Sequence, residues 1–204
     1  MKLHWSPRSP FVRKVVLVAH EAGILGQLEY IRSTVAMTRP NHALMRDNPL
    51  SRLPTLVLDD GVILYDSSVI TQYFASLNPD SGLLAPAGAA RWDALRREAF
   101  GDGINDILVL WNNERQRPDG ARSMPHIAAF AEKLNCAFDE LERWAGAVVD
   151  GSFDLGDAGI GCALGYADFR FADIGWREGR PALAAWHGQF ERRASAIATR
   201  PTND

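Results

Sequence analysis

The chain has 204 residues, 47% of them apolar, and a formal charge of −3 from 22 Lys and Arg set against 25 Asp and Glu. That length and apolar content can fill one large core or two small ones, and no basic block is present to neutralise a run of phosphates, so nucleic acid is not an expected partner. No stretch approaches the roughly 18 consecutive apolar residues of a membrane span, and the expectation is a cytoplasmic protein with no membrane partner.

Leu3 to Trp5 is a short strand candidate, and Val12, Val15, Val16 and Ala19 then recur at helical spacing with Gly23 placed to end the helix. A weaker strand signal follows at Leu28 to Ile31, so the opening segment reads as a βαβ unit with parallel strands. Thr55 to Leu58 and Val62 to Tyr65 flank Asp59-Asp60-Gly61, a hairpin signal that predicts an antiparallel pair. Asp66-Ser67-Ser68 offers good helix caps ahead of Val69, Ile70, Tyr73, Phe74 and Leu77, and that helix stops before Asn78-Pro79. The order βαβ then ββα over residues 1–78 predicts a thioredoxin-like α/β domain. Residues 79–88 have the Pro and Gly content of a linker, and 89–204 read as an all-helical domain with helices near 89–115, 123–146, 157–168 and 181–199. Cys136 and Cys162 both fall in apolar helical patterns without ligand spacing, which predicts two buried thiols and no metal site.

Four short stretches have the chemistry to form a site. In H-W-S-P-R-S-P-F-V-R, residues 4–13, Ser9 precedes proline as a favoured N-cap precedes a favoured first helical residue. The same position aims a hydroxyl at whatever lies beyond the helix end, where the dipole favours an anion such as a thiolate. In S-R-L-P-T-L-V-L, residues 51–58, Pro54 heads a strand and pushes Leu53 into an extended form, leaving Leu53 backbone groups open to an extended peptide ligand; propensity alone favours a trans bond there. Asp66 and Ser67, at the end of a strand and the start of a helix, read in themselves as a helix cap, and they also have the chemistry to hold an ammonium and a carboxylate. Asp154, three residues before Asp157, has the spacing of a capping box and reads as structural.

Taken in order, S-P-F-V-R-K-V at 9–15, N-P-L-S-R-L-P-T-L at 48–56, Y-D-S-S at 65–68, the Asp154/Asp157 box and P-A-L-A-A-W at 181–186 resemble the glutathione S-transferase superfamily over nearly the whole chain. The resemblance implies an N-terminal thioredoxin-like domain that binds glutathione as co-substrate, a helical domain that supplies a second substrate pocket, and a homodimer. It implies that Pro54 is cis, that the Leu53 backbone pairs with the cysteinyl part of glutathione, that Asp66 and Ser67 hold the γ-glutamyl end, and that Arg52 stands near the glycyl carboxylate. His4 and Trp5 occupy the stretch where tyrosine classes place their phenol, and no cysteine precedes Cys136. Ser9, four residues before Arg13, matches the serine classes, with a Ser-Pro-Phe run similar to the tau pattern; Ser9 is then the donor to the sulfur and Ser6 the reserve candidate. The resemblance puts Leu108, Trp111, Asn112 and Arg115 in the pocket for a small hydrophobic or anionic electrophile, although a Trp at helical spacing also reads as core. The expected activity is transfer of glutathione to such an electrophile in detoxification. A non-catalytic glutathione-fold binding protein, and a glutathione-dependent isomerase or dehalogenase, are the alternatives.

Overall fold

The computed structural model describes residues 1–147 and 153–203; positions 148–152 and 204, inside the region expected to be helical, lie outside the described residues. A four-stranded mixed sheet has the order β2-β1-β3-β4, built from β1 (Lys2–Trp5), β2 (Glu29–Arg32), β3 (Thr55–Val57) and β4 (Ile63–Leu64). β1 pairs parallel with β2 and antiparallel with β3, and β3 pairs antiparallel with β4. Both strand pairs thus run in the directions expected, with β3 and β4 each shorter than the apolar runs that signalled them.

Helix α1 (Pro10–Glu21) crosses between β1 and β2, and α2 (Ser67–Leu77) follows β4. Their inner faces meet the sheet in a core that includes Leu3, Val15, Val18, Leu56, Ile70 and Phe74. From residue 88 onward the described elements are helical: α3 (Gly88–Arg115), α4 (Met124–Ala147), α5 (Leu155–Arg170), α6 (Pro181–Phe190) and α7 (Ala194–Ala198), with short 3-10 turns between. Helix α5 is buried along most of its length and belongs to both cores, Leu155, Ala158 and Cys162 facing the first and Ile160, Ala163 and Leu164 the second. Helices α3 and α5 approach so closely that a Cβ on Gly101 would stand 2.4 Å from the Gly159 carbonyl carbon, so only glycine fits there.

Two expectations are corrected. Cys136 is exposed while Cys162 is buried. The buried stripe of α4 runs Leu134, Phe138, Leu141, and a residue two places after Leu134 falls on the far face of a 3.6-residue turn. The single helix expected over 181–199 is two, because Arg193 is extended (ψ 140°) and sends its guanidinium to Glu21 on α1 at 2.9 and 3.0 Å.

The capping box is present: Asp154 Oδ1 accepts from the Asp157 N–H and Asp157 Oδ2 from the Asp154 N–H, each at 3.1 Å. Arg97 of α3 bonds both carboxylates, ties this cap to the neighbouring helix and makes a short contact with Asp154. Burial, with the charge of Asp154 beside it, pushes Asp157 up to about 6. A carboxyl whose folded pKa lies above its unfolded value contributes stability that is full below the unfolded pKa and lost as pH rises through the folded one. Asp157→Asn keeps an acceptor for the Asp154 N–H and removes that titration. The wild type should therefore lose stability relative to Asp157→Asn between about pH 4 and pH 6, read as urea midpoints across that range; parallel pH profiles would refute the assignment.

Candidate active site

The N-terminus of α1 is capped by Ser9, which has extended backbone angles (φ −86°, ψ 122°). Its Oγ accepts from the Val12 N–H at 3.3 Å and its carbonyl accepts from the Arg13 N–H at 2.9 Å. A hydroxyl that serves as acceptor in the cap keeps its own proton available for a further partner. Ser6 is buried and holds the turn from the other side, its carbonyl accepting the Ser9 N–H at 3.3 Å. His4 is committed elsewhere: its ring nitrogens lie 2.9 Å from Ser33 Oγ and 2.7 Å from Asp47 Oδ2. Trp5 packs edge-on against Tyr30 and beneath the Arg32 guanidinium.

The loop before β3 is knitted by its own polar groups. Asn48 Nδ2 donates to Thr55 Oγ1 at 2.9 Å and Thr55 Oγ1 to the Arg52 carbonyl at 2.9 Å, while Ser51, at φ 52°, accepts the Asn41 N–H on its Oγ at 2.9 Å. Leu53 and Pro54 are buried, Arg52 is exposed, and the Leu53–Pro54 peptide is cis, as is Tyr65–Asp66.

Asp66 is the N-cap of α2, its Oδ1 accepting from the Ser68 N–H at 3.1 Å and from Ser68 Oγ at 2.6 Å. Partial burial works against its charge, but these hydrogen bonds and the nearby Lys14 outweigh it and hold the carboxyl below its ordinary range. Ser67, the first residue of the helix, is buried.

A second charged set, not singled out by its sequence, joins these elements to α3. Lys14 is completely buried, its Nζ 2.6 and 2.8 Å from the Asp102 carboxylate and 3.0 Å from Glu98 Oε1, and Glu98 in turn accepts from Thr71 Oγ1 of α2 at 2.6 Å. Burial opposes the Lys14 charge, yet Glu98 and Asp102 more than compensate and raise its pKa; burial raises both carboxyls, with Lys14 offsetting part of that. Asp106, one turn beyond Asp102, is raised by partial burial and lies within electrostatic reach of Arg52, Asp66 and Lys14. In the sequence Glu98, Asp102 and Asp106 repeat every four residues along one helix face, but nothing in that pattern pairs it with Lys14, more than eighty residues earlier.

Of the residues expected around a second substrate, Leu108 is fully buried and Trp111 nearly so, with its ring 5.1 Å from Phe171 in the second core. The edge of Trp111 borders a cavity of about 210 Å³ with Ala131, Leu134, Asn135, Phe138 and Ile174, which contains no residue of the sheet-bearing part. Asn112 is half-buried, and Arg115 stacks on Trp111 and Phe171 while pairing with Asp173 at 2.8 Å. Among the described residues no group of three or more His, Cys, Asp or Glu is arranged to hold a metal ion, and no helix is long and apolar enough to cross a membrane.

Residues 8–77 match the family model for the glutathione S-transferase N-terminal domain and residues 124–188 that for the C-terminal domain. The chain is 32% identical over 206 residues to the uncharacterized GST-like protein YibF of Escherichia coli strain K12, with 98% of each chain covered. It is also similar to a glutathione transferase family member from Pseudomonas fluorescens Pf-5 solved with bound glutathione, at 36% identity, 99% coverage of both chains and a TM-score of 0.92. A glutathione S-transferase from Methylobacillus flagellatus KT, solved with glutathione bound, shares 31% identity over 98% of this chain and 99% of that one at a TM-score of 0.87. With sheet order, helical half and relatives in agreement along nearly its full length, the chain belongs to the glutathione S-transferase family.

Proposed function

We propose that the protein is a glutathione transferase in which Ser9 donates a hydrogen bond to the glutathione sulfur. The observation that carries the proposal is the cap itself: Ser9 Oγ accepts from the Val12 N–H at the N-terminus of α1, which leaves its proton uncommitted at the positive end of the helix. The thiol proton leaves to solvent, the hydroxyl and the positive end of the helix dipole stabilise the thiolate, and the sulfur lone pair attacks an electrophilic carbon as the leaving group departs with its bonding pair. No adjacent base is required, because serine is a donor and not the nucleophile. Relatives crystallised with glutathione support binding of the tripeptide, and in this proposal Arg52, Leu53 with Pro54, and the Asp66/Ser67 pair hold it. Asn112 and Arg115, only half-buried, are the pocket residues with surface left for a hydrophobic or anionic electrophile; Leu108 and Trp111 back them from the core. A homodimer and a role in cytoplasmic detoxification complete the proposal, as the resemblance to the family implies.

Ser67→Ala should raise the glutathione dissociation constant about 10-fold or more while leaving circular dichroism unchanged, since a lost hydrogen bond to a charged group is worth about 1.5–3 kcal/mol. Equal affinity by calorimetry would remove Ser67 from the site. A panel of aryl halides, haloalkanes and isomerisable substrates, run with and without glutathione, separates transferase from dehalogenase and isomerase turnover; tight glutathione binding without turnover on any of them would instead mark a binding protein.

A further inference from the structure

We infer that Arg13 is a positioning residue that sets the Ser9 hydroxyl from the helical half of the molecule; the inference rests on the role proposed for Ser9. Arg13 lies one turn after Ser9 and its N–H closes that turn on the Ser9 carbonyl at 2.9 Å. Its side chain, only 3% exposed, reaches away from the sheet to the helical half. Nη2 donates to Glu191 Oε1 at 2.9 Å, just past the end of α6, and to the Ala196 carbonyl of α7 at 3.3 Å. Nη1 occupies a notch in α5, where a Cβ on Gly165 would stand 2.0 Å from it. One turn earlier the same helix has a second notch at Gly161, filled by the Phe190 ring, and the guanidinium lies 5.7 Å from the centre of that ring. On the other side of Ser9, the Pro7 carbonyl accepts from the Thr202 N–H at 3.4 Å. The cap residue is therefore held before and after by residues between Glu191 and Thr202.

Stability alone does not account for this arrangement. Arg13 Nε and Nη1 are buried without a hydrogen-bond partner, a desolvation cost that a methionine of similar length would avoid, and buried ion pairs are weak sources of net stability. What a guanidinium pinned by a carboxylate, a carbonyl and a glycine notch provides is one fixed orientation, and a donor to sulfur depends on distance and angle.

The test titrates thiolate absorbance of bound glutathione against pH in Gly165→Ala, Arg13→Met and Arg13→Lys, with Ser9→Ala alongside, and measures affinity for S-methylglutathione, which has no thiol. Gly165→Ala and Arg13→Met should each raise the bound thiol pKa by about half a unit or more, Arg13→Lys should recover part of it, and S-methylglutathione affinity should stay within about 2-fold. Glu191→Gln, which keeps the volume and an acceptor, should give a smaller shift of the same sign, and serves if the others fail to fold. An unshifted thiol pKa in the folded variants overturns the inference. Where Ser9→Ala raises the pKa and Gly165→Ala does not, positioning by Arg13 alone is refuted; where Ser9→Ala also leaves it unchanged, the role of Ser9 fails first.

Discussion

Lys14→Met is expected to lower stability by about 3–5 kcal/mol, the cost of leaving buried carboxylates without their cation. Glu98 and Asp102 are bonded to one ammonium that has no exposed surface, and Glu98 also holds Thr71, so the substitution strands two acids between α1, α2 and α3. For a chain of this length the melting midpoint should fall by roughly 6–20 °C. The loss should depend on pH in a defined direction. Both carboxyls are already raised by burial, and without Lys14 they rise further. Their contribution is then fully present below the unfolded carboxyl pKa and lost as pH climbs through the folded one, so the variant should be closer to wild type near pH 5 than near pH 8. Calorimetric or fluorescence melts at both pH values decide it; a deficit that is equal at the two would mean that the cluster is not buried charge.

Ser9→Ala should have the largest effect on chemistry. A hydrogen bond to a charged acceptor is worth about 1.5–3 kcal/mol, so kcat/KM with a reactive electrophile should drop about 10- to 100-fold, and more at low pH than at high pH, where glutathione ionises unaided. Because the hydroxyl also accepts the Val12 N–H, stability should fall by about 0.5–2 kcal/mol as well. The two effects are separable: raising pH rescues the rate and leaves the melting point where it is. A variant with lower stability and an unaltered kcat/KM profile would leave Ser9 as a cap only.

Local patterns carried the fold a long way. The Asp59-Asp60-Gly61 turn, the Ser9-Pro10 start of α1 and the Asp154/Asp157 box each follow from residues within a few positions of one another, and the structure has all three. What local pattern could not disclose depends on distant partners. Lys14 looks like one more polar residue in an amphipathic helix until α3, more than eighty residues later, brings Glu98 and Asp102 against it. The break between α6 and α7 is set by the reach of Arg193 to Glu21, and most of Trp111 packs against Phe171 in the second core, leaving its edge on the cavity beside α4. Cys136 is the exception: the Leu134-Phe138-Leu141 stripe already put it on the outer face, and the apolar composition of its surroundings concealed that. Within the candidate site, the acidic Ser pair at the head of α2 and the proline at the head of β3 were legible as motifs, whereas the buried cations that fix α1 against the helical half were not.

The most direct measurement is the thiolate absorbance of bound glutathione as a function of pH, in wild type and in Ser9→Ala. A free cysteine thiol titrates near 8.5. Bound to the wild type, glutathione should titrate about one to two units lower, and bound to Ser9→Ala it should return most of the way toward the free value. Glutathione that binds with its thiol pKa unchanged, or a lowered pKa that survives the loss of the hydroxyl, would contradict activation of the sulfur by Ser9.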